Sequence, residues 1–138
     1  MSASSAKLGA RRSGVYRAPR SVVTLTRQAH AAGLAWFDLK LARVNGKEQF
    51  LAACARTLKF PEGFGGNWDA LADCLRDFEW CNADGYVLHV QNARHFARAA
   101  PDDYALALEI LRLAADYWKE KRVAFIVLVD GDADLHAF

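Results

Sequence analysis

Residues 123–129 (Val-Ala-Phe-Ile-Val-Leu-Val) are apolar without a break. This run is the tightest constraint on the fold. A strand with one wet face alternates apolar and polar side chains, whereas an unbroken apolar strand is buried on both faces, as in a parallel sheet. The residues before it read as a long helix ending near Lys121. Asp102 and Asp103 suit its N-terminal dipole, and Lys119, Lys121 and Arg122 suit its C-terminal end. A short apolar strand at residues 86–90, expected to be central, precedes that helix. Strand, helix and strand make a βαβ unit with a right-handed crossover.

Earlier segments extend the pattern. Residues 22–32 suggest a short helix with Gly33 as its stop. Phe37, Leu39 and Leu41 alternate with Asp38 and Lys40, which is a half-buried strand. It ends at Asn45-Gly46. Residues 47–58 carry Phe50, Leu51, Cys54 and Leu58 at helical spacing, and Pro61 stops that helix. A Gly-rich loop occupies residues 61–66, a helix residues 67–78, and a short helix within residues 91–100 is closed by Pro101. The expected fold class is α/β, a two-layer fold of a three-stranded parallel sheet packed with helices.

Length and charge divide the chain. At 138 residues it is one domain. Hydrophobic residues are 53% and charged residues 25%, an ordinary globular composition. No stretch approaches the roughly 18 apolar residues of a membrane span. The net charge of +2 hides an asymmetry: residues 1–34 carry six bases and no acid. Residues 1–20 therefore read as a flexible basic arm, residues 21–34 as an extra helical segment, and residues 35–138 as the domain. The arm lacks the apolar core of a secretory signal, although its Arg- and Ser-rich composition is shared with mitochondrial transit peptides. It suits phosphate contacts, but a solvated tail is the simpler expectation. The alternative is that it folds back over the acidic helix at residues 67–78 and masks it. Cys54, Cys74 and Cys81 are an odd set without a CxxC, which points to reduced thiols and a cytoplasmic setting.

The segment from Pro61 to Trp80 carries the chemistry. On a helical wheel, Trp68, Leu71, Cys74, Leu75 and Phe78 share an arc between about 140° and 260° when Asp69 is at zero. Asp73 and Asp77 fall at about 40° and 80°, so Asp69, Asp73 and Asp77 line one exposed side. Arg76, at about 340°, partly neutralises that stripe. Over residues 61–84 six acids face one base. Exposed helix faces are ordinarily charged, so the stripe alone does not define a site. Gly63, Gly65 and Gly66 crowd just before an Asn cap, and glycines permit close approach of another backbone. They also suit a tight interhelical turn.

The run Leu58-Lys-Phe-Pro-Glu-Gly-Phe-Gly-Gly-Asn-Trp-Asp-Ala-Leu-Ala-Asp-Cys-Leu75 resembles the signature of the barstar family of ribonuclease inhibitors. The pattern is long and specific, and a looser likeness spans about residues 36–129. The resemblance implies a three-stranded parallel sheet with helices. It also implies an inhibitor that plugs the active site of a small basic ribonuclease with an acidic helix and the loop before it. On that likeness Asp73 is the central carboxylate at a phosphate site, and Asp69 is the second acidic contact. Asn67 and Gly65 match the edge of the interface, and Phe64 matches a loop aromatic. Asp116 falls about where a further acidic contact lies. Gly63 stands where the family has its first loop aromatic, and Ala72 stands where it has an interface Trp. Aromatic anchors usually dominate interface energetics, so the partner is either a ribonuclease or another basic protein.

No catalytic loop or phosphate-binding loop motif occurs. His30, His89, His95 and His136 lack metal-ligand spacing. No metal or cofactor is expected, and His89 reads as a packed or edge residue. Cys74 lies on the apolar arc as a buried thiol. Asp69 and Asp73 as a general acid/base pair would need a cleft. The expectation is a monomeric binding protein rather than an enzyme, with no direct nucleic-acid or membrane partner.

Overall fold

A computed structural model describes residues 7–138. The remaining part of the expected arm, residues 1–6, lies outside the described residues. Strands β1 (Gly14–Arg17), β2 (Leu34–Lys40), β3 (Gly85–Gln91) and β4 (Ala124–Val129) form one four-stranded sheet in the order β1-β4-β3-β2. Every pairing is parallel. Helix α1 (Val23–Ala31) links β1 to β2. Helices α2 (Lys47–Leu58) and α3 (Trp68–Leu75) link β2 to β3, and α4 (Arg94–Ala99) and α5 (Pro101–Glu120) link β3 to β4. The chain is therefore α/β with a parallel sheet packed with helices, as its sequence implies.

Strand alternation separates two apolar clusters. Leu39, Leu88, Val90, Phe125, Val127 and Val129 face the larger one, with Phe50, Leu58, Leu71 and Leu111 from the helices. Val87, Ala124, Ile126 and Leu128 face the smaller one, closed by Leu25 and Ala29 of α1 and by Leu8. All six residues of β4 are buried. That is the two-faced burial its composition demands. His89, within β3, is packed as well. It meets Asp130 at 2.8 Å and Asp38 at 3.5 Å.

Four features correct or extend the sequence reading. First, the sheet has four strands rather than three. The extra strand is β1, whose residues read from sequence as part of a flexible arm. Ser13 clamps this segment to the start of β4. Its hydroxyl donates to the Val123 carbonyl (3.2 Å) and accepts from the Phe125 N–H (3.0 Å). Arg12 lies 4.1 Å from the Phe138 ring centroid, and Tyr16 packs on the same ring. Second, residues 10–17 dock on β4 and α5, so this part of the basic segment does not lie over the acidic helix. Third, Pro101 closes the short helix as expected and in addition opens α5. Ala100 is held out of helical geometry (φ −144°, ψ 71°), the constraint proline places on its predecessor. Fourth, the helix expected at 67–78 stops at Leu75.

Removing residues 1–17 strips β4 of its outer neighbour and bares a row of backbone donors and acceptors. The truncated chain is expected to melt at lower temperature and to self-associate with rising concentration. Thermal unfolding and size-exclusion chromatography check this. An unchanged melting temperature with a single monomer peak contradicts it.

Candidate functional site

Helix α3 is short, and both of its ends are held. At its start the Asn67 side chain accepts the Ala70 N–H at 2.7 Å. This satisfies one of the orphan donors that every helix leaves. In the loop before it, Gly63 (φ +91°) and Gly66 (φ +67°) occupy the left-handed region, and a Cβ on either would meet nothing within 4 Å. Their conformation is the reason for glycine here, and the space beside them is open. Gly65 is exposed too. Phe64 is only half-exposed, with its ring 5.0 Å from that of Phe60. Phe60 in turn stands edge-on to Trp80, whose indole N–H donates to the Leu58 carbonyl (2.9 Å).

The end of α3 is set by packing. Trp118 of α5 donates its indole N–H to the Leu75 carbonyl at 2.7 Å. Phe78 then takes φ +55°, a conformation that bulky residues seldom adopt. It is 2% exposed, stacked on Tyr86 at 4.2 Å and flanked by Trp80, Phe37, Phe125 and Trp118. Burial in that aromatic cluster outweighs the backbone cost. Phe78 falls on the apolar arc of an ideal wheel, so periodicity alone carries the helix one turn too far.

The faces of α3 follow the wheel over its real length. Leu71 and Leu75 are buried, Trp68 and Ala72 are half-buried against the core, and Asp69 and Asp73 are exposed. Asp77 lies beyond the helix, so the three-aspartate stripe is a pair plus a turn residue whose carboxylate accepts the Glu79 N–H (3.3 Å). Among the described residues Asp69 has no ion-pair partner. Asp73 meets the Arg76 guanidinium at 2.9 Å. Asp116 is exposed on α5 and faces Arg112 at 3.6 Å. It lies two residues before Trp118, the side chain that holds the end of α3. The spacing of Asp73 and Arg76 was visible in the sequence, but their pairing was not inferred. The Trp118 anchor was missed, since nothing local links it to Leu75.

The pair Asp69 and Asp73 stands on an open helix face. A cavity of about 680 Å³ lies instead past the ends of β3 and β4, lined by Asn92, Arg94, Tyr104, Asp130 and Asp132 among others. Neither helix aspartate lines it. Cys74 is half-buried rather than buried, and its thiol is pushed up by that partial burial and then by the Asp77 and Asp73 carboxylates. Burial pushes the Cys54 thiol up much further. Both are thus poor nucleophiles at neutral pH. Among the described residues no group of three or more His, Cys, Asp or Glu is placed to hold a metal. No helix among them is long and apolar enough to cross a membrane.

A family model described as Barstar (barnase inhibitor) matches residues 34–130. Comparison with curated proteins finds no match. The matched stretch runs from β2 to just past β4, leaving β1 and α1 outside it.

Two substitutions separate the devices that hold α3. Phe78→Ala empties a core position and is expected to cost about 3–5 kcal/mol of stability. Asn67→Ala removes a cap worth about 1 kcal/mol. Urea unfolding of both variants checks the ranking. Comparable losses would mean that the aromatic cluster does not set the end of the helix.

Proposed function

The chain belongs to the barstar family, and we propose that it inhibits a small basic ribonuclease by laying α3 and the loop at residues 61–66 across the enzyme's active site. The observation that carries this reading is the placement of two exposed carboxylates, Asp69 and Asp73, one turn apart on a helix held at both ends. A ribonuclease cleft is built from cations that receive phosphates. Ionised carboxylates are acceptors only and form strong charge-assisted hydrogen bonds with guanidinium and ammonium groups. Asp73 is the central phosphate mimic and Asp69 the second. Asn67, Gly65 and Gly63 supply close backbone approach at the edge, with Phe64 beneath the loop. Asp77 and Asp116 extend the acidic surface.

Charge of this kind mainly governs encounter and specificity. The aromatic anchors that would add affinity are absent at Gly63 and Ala72. That absence favours a second reading, in which the same face binds a basic protein that is not a nuclease. In either case the partner is a protein. The free thiols suit action in the cytosol, where an inhibitor would meet any enzyme retained by the cell.

The test is the affinity of Asp73→Ala for a barnase-type ribonuclease. Truncating one member of a buried interfacial charge pair leaves the other unpaired. The dissociation constant is expected to rise about 100-fold or more while urea unfolding is almost unchanged. Wild-type binding with unaltered affinity in the variant removes Asp73 from the centre. Absence of wild-type binding favours the non-nuclease reading.

A further inference from the structure

Arg76 is the only base among residues 61–84, and the fold turns it onto the site. Its Nη2 donates to an Asp73 carboxylate oxygen at 2.9 Å. Its Nε donates to the Ala72 carbonyl at 3.2 Å, which fixes the guanidinium plane against the end of α3. Two hydrogen bonds from one planar group make a directed contact rather than a loose neighbour. Resting on the inhibitor reading, we propose that Arg76 is a specificity-determining residue: an internal counter-ion that shields Asp73 and penalises partners unable to accommodate a second cation beside it.

A partner cation approaching Asp73 must share the carboxylate with Arg76 or displace it. Asp73 keeps 76% of its side-chain exposure and Arg76 47%. An exposed pair of this kind is weak and open to exchange, so Arg76 tunes association rather than blocking it. A uniformly basic cleft meets like-charge repulsion at this corner. A cleft with an acidic group next to its phosphate-binding cations can take the Arg76 guanidinium and the Asp73 carboxylate together. Discrimination then rests on a repulsive element as well as an attractive one. The paired carboxylate also lowers the field available for steering, while among the described residues Asp69 has no ion-pair partner.

The experiment combines two readouts on the full chain: wild type, Arg76→Gln, Asp73→Asn and the double variant. Association rates with a barnase-type ribonuclease are measured from low to physiological ionic strength. Arg76→Gln is expected to associate about 3–10-fold faster at low salt, with the gain shrinking as salt rises and absent in the Asp73→Asn background. An unchanged or slower rate overturns the proposal. So does an equal gain in both backgrounds, because Arg76 would then act as bulk charge. In the free protein, the Arg76 side-chain NMR signals are expected to show slower guanidinium rotation in wild type than in Asp73→Asn, where the Ala72 carbonyl contact remains but the charged partner is gone. No difference removes the counter-ion contact. Lack of association by all four proteins counts against the ribonuclease reading and the selectivity role built on it, while NMR still decides the contact. Association by all four at rates indifferent to Arg76 sinks only this inference.

Discussion

Strand β4 must be kept from water on two faces and two edges, and the rest of the structure is arranged around that requirement. Its six residues are all buried. One face needs α5 and the aromatic cluster, and the other needs α1 and Leu8. One edge is taken by β3 and the other by β1. The Ser13 hydroxyl closes the last gap by bonding the backbone on either side of Ala124. A chain with only the family-matched stretch would leave that edge open, so the N-terminal segment is part of the fold rather than an appendage.

The site draws its rigidity from the same core. Helix α3 contributes Leu71 and Leu75 inward, and Trp118 reaches from α5 to take the last carbonyl. Phe78 then turns the chain back into the aromatic cluster. A helix this short is marginal on its own. Packed and capped, it holds Asp69 and Asp73 outward without a search through alternative backbones, which limits the ordering cost of binding. Stability and presentation therefore depend on the same contacts, and the exposed carboxylates themselves contribute little to folding.

Much of this was legible in the residues. Helix α2 carries clear signals at both ends, and the expected limits match the observed Lys47–Leu58. Strand β4 and the long helix before it were readable because each follows one uninterrupted pattern. The exposed placement of Asp69 and Asp73 followed from the wheel. Strand β1 was not readable. Gly14–Arg17 is four half-buried residues in a Ser-, Arg- and Gly-rich context. Its strand character comes from pairing with β4, far away in sequence. The end of α3 was misjudged because Phe78 is apolar at the position where an ideal helix would also place an apolar residue. The contact that stops the helix comes from Trp118, and local periodicity carries no trace of it. The Asp73–Arg76 pair needed coordinates to separate a general reduction of charge from a directed contact.

In the proposed mechanism, two carboxylates on a braced helix close a ribonuclease active site. The most direct measurement is RNA cleavage by a barnase-type ribonuclease titrated with the full chain at low and at physiological salt. Activity is expected to fall to zero near one equivalent at low salt, with weaker inhibition as salt rises. Undiminished cleavage at low salt with the chain in micromolar excess would contradict it.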